Sequence, residues 1–419
     1  FFISIRNIKI IRINICFMIF NGGIFRFFPV PDDENNAWVS SLQSNLFSGK
    51  DSLFVATIMP LYFNTLKESL ETNQWNYTDT IVQFINKFQE RYGTEVLPSK
   101  AKVDLEIIYN QSKIFSRLFI YYFIFGFLLL IFSILQIFNN SKLLSKLVKL
   151  ISFFILFGFI LHTGGLIVRW IISNHAPWSN GYESMIYIAW ATMLSGWIFN
   201  KRSMLPLTAT AIVSALILMV AHLNWLDPTI TNLVPVLNSY WLMIHVSIIT
   251  SSYGFFSLAF MLGFLSLCLI IFQSKENFQK VKTVLSELKI INEKTIELGL
   301  VLLTIGTFLG GVWANESWGR YWGWDPKETW ALVSILIYAF ILHMRFIPKL
   351  NNTLVFNSVS MFAIWTIIMT YFGVNYYLSG LHSYAAGDPM PIPKFVYYLL
   401  AIMIVSTVLA KIKYKKKYK

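Results

Sequence analysis

The chain has 419 residues, of which 56% are hydrophobic and 17% aromatic, against 13% charged. A soluble protein of this length cannot hide so much apolar surface, so the composition excludes an ordinary globular enzyme and predicts an all-α polytopic membrane protein. The net charge of +13 sits in short loops and in the tail Lys411 to Lys419, where basic residues beside membrane spans act as cytoplasmic anchors and not as a nucleic-acid surface.

The chain opens on Phe1 and not on Met, which points to a segment of something longer. Residues 1–20 alternate Ile and Phe with Arg6, Lys9 and Arg12, the pattern of a strand or an amphipathic segment. Basic residues interrupt this apolar run instead of preceding it, which argues against a signal peptide. Residues 21–115 are polar, lack a spanning run and include a helix-like stretch from Asp79 to Tyr92. They predict a small extracytoplasmic domain.

Apolar runs near the ~20-residue spanning length fall at about 118–138, 150–172, 184–199, 204–223, 251–272, 296–313, 330–347, 353–378 and 393–411, about nine transmembrane helices. The basic residues Lys142, Lys146 and Lys149, Lys201 and Arg202, the five lysines of 275–294, Arg345 and Lys349, and the tail all fall on one side of this alternation. That side is the cytoplasm by the positive-inside rule. The loops near 174–183, 224–250, 314–329 and 379–392 then face outward. The expected organisation is an extracytoplasmic segment 1–116, a linking helix and cytoplasmic loop 117–149, a membrane domain 150–412 and a basic cytoplasmic tail 413–419. Cys16 and Cys268 stand far apart, so the sequence offers neither a CxxC pair nor a CxxCH haem-attachment site.

Within the segment 313–331, residues 318–330 read Trp-Gly-Arg-Tyr-Trp-Gly-Trp-Asp-Pro-Lys-Glu-Thr-Trp. Four indoles crowd between two apolar runs, where membrane proteins ordinarily spread them through interfacial belts. Gly319 and Gly323 remove side-chain bulk and Asp325-Pro326 forces a turn, so the segment predicts a flat aromatic platform. There are six histidines. Imidazole is a natural axial ligand for haem iron, and two of them make a six-coordinate site. His245 and His382 flank the Trp segment in sequence and are predicted on the same outer face. His343, near the inner end of the seventh span, is an ionisable group inside a membrane helix and therefore a functional candidate. His162 is the other intramembrane histidine, while His175 and His222 read as solvated loop residues.

Trp318, Gly319, Trp322, Trp324, Asp325 and Glu328 fall on the pattern WGxxWxWDxxE, which resembles the signature of the haem-handling proteins of cytochrome c maturation. His162, Arg169 and Trp170, followed by Ala-Pro-Trp-Ser-Asn-Gly-Tyr-Glu, resemble the start of a CcsA protein. The resemblance is to the CcsA (ResC-like) family of the system II cytochrome c synthetase and covers roughly residues 150–395; the preceding segment resembles the trailing end of a fused CcsB half.

The resemblance implies haem b as substrate and bound ligand, with His245 and His382 as ligands of an external haem and His343 as a ligand of a transmembrane haem. The partner of His343 is expected from the CcsB or ResB half. Arg169 and Glu183 are expected to be structural or to face haem propionates, with Arg320 or Lys327 as further propionate contacts. It also implies a bacterial cytoplasmic membrane location, an outward active face, an apocytochrome c partner that supplies its CxxCH thiols, lipid contact and no catalytic acid or base. The alternatives are a system I type haem exporter that does not ligate haem to cytochrome, and a structural subunit without haem.

Overall fold

The computed structural model describes residues 23–139, 141–201, 203–223, 226–231, 233, 239–378, 380 and 392–418, with side chains described up to Tyr414. It divides into two compact units, one ending at Asp104 and the other running from Leu105.

The first unit pairs two short antiparallel strands, β1 (Phe28–Pro29) and β2 (Trp38–Val39), in the register Phe28↔Val39. Two helices follow, α1 (Gly49–Thr72) and α2 (Asn76–Tyr92). The apolar residues Ile81, Ile85 and Phe88 recur on one face of α2 at helical spacing and are buried. They meet Phe28, Val39, Val55, Ile58 and Met59 in a core of their own. Phe88 anchors it, stacking on Phe54 at 5.1 Å and meeting Phe28 edge-on at 5.9 Å.

Helix α3 (Lys100–Ser112) meets α4 (Ile114–Phe138) at Lys113, whose φ of 46° breaks the hydrogen-bond ladder. The rest of the second unit is a bundle: α5 (Lys142–Ser173), α6 (Gly181–Phe199), α7 (Leu205–His222), α8 (Tyr240–Phe272), α9 (Phe278–Trp318), α10 (Pro326–His343), α11 (Thr353–Tyr377) and α12 (Lys394–Tyr418). The termini carry expected chemistry. Ser141 and Asn180 accept backbone N–H bonds at the starts of α5 and α6, and Pro206 sits in the first turn of α7.

Among the described residues, 8 helices are long and apolar enough to cross a membrane, so the chain is a multi-pass, all-helical membrane protein. The expected span at 184–199 lies in α6, which is not among the eight. Its Glu183, Ser184, Thr192 and Ser195 dilute the apolar content, and all four are buried inside the bundle. A helix wrapped by protein need not match lipid in polarity.

The lysine-bearing stretch expected as a loop at 275–294 is helical from Phe278 onward. Val281, Leu285, Leu288 and Ile291 form its buried stripe, while Lys289–Glu293 and Lys294–Glu297 pair on the polar face. Helix α9 therefore extends well past a single membrane thickness. Helices α8 and α6 approach closely at Gly254, where a Cβ would lie 2.6 Å from the Thr192 nitrogen. A side chain there would push the two helices apart, and α8 is the element that carries His245.

Candidate functional site

At the end of the bundle where α6, α8 and α10 begin and α9 and α11 finish, a cavity of about 500 Å³ opens. Its walls include Trp178, Tyr182, His245, Trp313, Trp322 and Tyr371, and among the described residues Lys327 is the only lysine or arginine that lines it. Apolar aromatic walls with a few convergent polar groups are the usual build of a small-molecule site, and the volume falls within the ~300–1,000 Å³ such sites occupy.

His245 lies one turn into α8 and is 6% exposed. Its Nδ1 donates to the Trp241 carbonyl at 2.8 Å. A carbonyl only accepts, so this bond places a proton on Nδ1. The ring stacks on Trp313 at 5.4 Å between centroids. Gly310 on α9 makes the room: a Cβ there would stand 3.3 Å from the His245 ring. Trp313 is fully buried and meets Trp318 edge-on at 4.7 Å.

The four indoles at 318–330 do not form the expected flat platform. Trp322 lines the cavity, Trp318 supports Trp313 from behind, and Trp324 is 70% exposed and edge-on to Trp322 with an interplanar angle of 89°. Backbone conformation is the reason. Trp324 takes a left-handed φ of 57°, an uncommon and costly state for a bulky residue.

The acidic residues of the segment hold that turn. One carboxylate oxygen of Glu328, Oε2, accepts the Gly323 N–H at 2.8 Å and the Asp325 N–H at 3.2 Å, the two amides flanking Trp324. Asp325 in turn accepts the Lys327 N–H at 3.0 Å and forms a capping box with Glu328 at the start of α10, with Pro326 in the first helical position. Gly319 ends α9 with φ 71°, a left-handed cap that glycine adopts without strain. At Gly323 the Arg320 guanidinium lies where a Cβ would project, so any larger residue would displace it.

Of the two cations expected near an anionic ligand, Lys327 lines the cavity and Arg320 does not. Lys327 Nζ donates to Asn375 Oδ1 of α11 at 2.8 Å. Arg169 is 1% exposed, and its Nε donates to Glu183 Oε1 at 2.9 Å. Its other nitrogens donate to Tyr109 and to the carbonyls of Pro228 and Thr229. Arg169 and Glu183 thus form a buried ion pair, with the guanidinium bonded to protein oxygens.

His162, inside α5, bonds Ile186 O through Nε2 at 3.0 Å and Tyr122 through Nδ1 at 3.4 Å, so both ring nitrogens are engaged. His175, expected in solvent, is buried at 9% exposure, with its ring between Ser179 and Glu183 on one side and the Thr231 carbonyl on the other. His222 is exposed and faces Ser116 Oγ at 3.2 Å.

His343, in the last turn of α10, is exposed, with Nδ1 donating to Ala339 O at 2.7 Å. At 1.5 Å rise per residue it stands about 24 Å along the helix from Lys327, away from the cavity. His382 lies outside the described residues.

Trp178 and Trp313 were not singled out from sequence. The first sits in the turn before α6 and donates to Met243 O on α8 at 3.0 Å. The signal for Trp313 was its place at the end of an apolar run, five residues before Trp318.

A family model described as cytochrome C assembly protein matches residues 178–382. The match begins at Trp178 of the cavity wall and ends at His382. Protein NrfI of Wolinella succinogenes is 44% identical over 386 residues, 91% of this chain and 42% of that protein, so the chain spans less than half the length of this relative. The cytochrome c biogenesis protein CcsA of Prochlorococcus marinus subsp. pastoris is 34% identical, covering 64% of this chain and 92% of that protein. The protein of the same name from Ranunculus macranthus is 35% identical over 54% of this chain and 84% of its own length. The solved structure of cytochrome c heme lyase CcmF superposes with a TM-score of 0.46 at 13% identity, over 72% of this chain and 51% of that one, and a likeness that loose carries no argument.

Proposed function

The chain belongs to the CcsA family of cytochrome c biogenesis proteins, and from that premise we propose that its cavity holds haem as a substrate and presents it for covalent attachment to apocytochrome c. The observation that carries the reading is His245: a buried imidazole in the wall of an aromatic cavity, with Nδ1 fixed on a backbone carbonyl. A carbonyl partner on the far nitrogen orients an imidazole and raises its basicity as a metal ligand.

In this proposal His245 and His382 would be the residues that hold the haem iron. Trp322 and Trp178 give the macrocycle apolar aromatic contact, Trp313 backs the His245 ring, and Lys327 meets a propionate. Trp318, Gly319, Asp325 and Glu328 act indirectly by shaping the turn, and Trp324, exposed beside Trp322, is left for the incoming apocytochrome or the far edge of the haem. Arg169 holds the wall and does not touch the ligand. The apocytochrome supplies the thiols of its CxxCH, which add across the haem vinyl groups. The chain supplies position and a water-poor setting, with no acid or base of its own required.

His343, exposed at the opposite end of α10, is proposed as a ligand of a transmembrane haem whose second ligand comes from a CcsB or ResB-like half, fused or separate. The cavity then faces outward from a bacterial cytoplasmic membrane, and the basic tail lies in the cytoplasm, as the distribution of Lys and Arg supports.

The test is an absorbance spectrum of the purified membrane protein with its CcsB-like half, alongside His245→Ala. The variant is expected to lose the low-spin haem signal and cytochrome maturation together, with both partly restored by added imidazole, which fills the vacated axial position. A variant that keeps the wild-type spectrum without imidazole overturns the ligand assignment. Haem retained but never attached to an apocytochrome in reconstitution would make the protein a haem carrier of the system I type.

A further inference from the structure

Residues 227–231 lie at the end of the bundle where the cavity opens, and Asp227, Thr229 and Thr231 line it. Their backbone is tied down from below by two side chains. Arg169 donates to the carbonyls of Pro228 at 3.0 Å and Thr229 at 3.2 Å. His175 Nε2 stands 3.3 Å from the Thr231 carbonyl. Arg169 is permanently charged, so its two bonds hold at any physiological pH. The His175 bond depends on a proton.

The surroundings of His175 offer acceptors on both sides. Nδ1 faces the Ala176 carbonyl at 3.2 Å, the Ser179 hydroxyl at 3.3 Å and Glu183 Oε2 at 4.0 Å. The Ser179 hydroxyl has a nearer acceptor in Ala176 O at 2.9 Å, to which it donates. Nε2 faces the Thr231 carbonyl. Carbonyl oxygens only accept, so both contacts are hydrogen bonds only when each ring nitrogen carries a proton.

The charged groups facing this site are few. Glu183 shares its carboxylate, Oε1 to Arg169 and Oε2 to the Ser179 N–H and His175. Asp227, on the segment itself, is held below the usual carboxylate range by the Thr229 backbone N–H and stays ionised. Tyr109 bonds Arg169, and Tyr182 lies against the Arg169 guanidinium.

We propose that His175 is a proton-dependent fastener that holds the segment 227–231 over the cavity when protonated and releases its Thr231 end when neutral. On deprotonation the remaining proton stays on Nδ1, where two oxygen acceptors and a carboxylate converge. Nε2 then turns a lone pair toward the Thr231 carbonyl, and attraction becomes repulsion. The Arg169 end stays fixed, so the segment opens as a flap hinged at Pro228 and Thr229. An outward-facing cavity thus admits or releases its ligand more readily as the outside pH rises. The consequence for haem rests on the cavity reading above, but the flap itself does not.

The test uses a nitroxide on Thr231→Cys in the full chain carrying Cys16→Ser and Cys268→Ser, in detergent without haem, from about pH 5 to about pH 8. The expected result is a label several-fold more mobile at the upper pH, and a mobility independent of pH in His175→Gln. Unchanged mobility across the series in the chain with His175 intact overturns the proposal, as does a pH response that survives in His175→Gln. Because no haem is present, failure here leaves the ligand assignment of His245 untouched, and failure of that assignment leaves the flap.

Discussion

Glu328→Ala isolates the role of one carboxylate in shaping the Trp segment. Glu328 Oε2 accepts the Gly323 and Asp325 amides on either side of Trp324, and Trp324 is held at φ 57°. Hydrogen bonds to a charged group contribute ~1.5–3 kcal/mol each, and water reaching this half-buried loop recovers part of that, leaving a net loss of about 2–3 kcal/mol. The left-handed conformation of Trp324 costs on the order of 1–3 kcal/mol and is no longer opposed. At ~1.4 kcal/mol per tenfold, the native turn falls in population by roughly 30- to 150-fold from the lost bonds alone.

Glu328→Gln keeps an oxygen acceptor and loses the charge, so its effect is smaller, about 1 kcal/mol. The assay is limited trypsin cleavage after Arg320 in isolated membranes, with haem per protein and protein amount measured in the same samples. Cleavage is expected to quicken and haem to fall in the order Glu328→Ala, then Glu328→Gln, at nearly constant protein amount. Equal cleavage and equal haem in Glu328→Ala and the unsubstituted chain would refute the reasoning.

Two other substitution sets separate contacts that the sequence does not distinguish. Trp322→Ala is expected to cost more haem per protein than Trp324→Ala, because Trp322 lines the cavity and burial contributes about 25 cal/mol per Å² of apolar area; Trp318→Ala acts through Trp313 and falls between them, and an equal loss at all three positions would contradict the geometry. Arg169→Met leaves the Glu183 carboxylate buried without its guanidinium, at about 3–5 kcal/mol, and is expected to lower the amount of folded protein. Arg169→Met with Glu183→Gln should recover much of it, and thermal unfolding in detergent reads the difference; a double variant no more stable than the single one would refute the pairing.

The membrane class and the helices were legible in the sequence because each depends on local, one-dimensional quantities: a run of apolar side chains and a helical period. The WGxxWxWDxxE string was legible for the same reason, since a capping box and a glycine cap are set by residues a few positions apart. What those residues do in space was not. Trp324 turns outward and Trp322 inward because one backbone torsion sits in the left-handed region, held by a carboxylate further along the next helix.

His245 and Trp313 stack although 68 positions separate them, because glycines let α8 and α9 approach closely. The same holds for the cations. Arg169, Arg320 and Lys327 are equivalent as charges in a string, yet one is locked in a buried ion pair, one lies over Gly323, and one reaches the cavity. A side chain's charge is a property of its own atoms, but its partner is whatever the packing of distant helices brings within about 3 Å. That is why α6 could carry Glu183 into the bundle at all: its counter-ion is delivered by α5, and no local pattern in either helix announces the pairing.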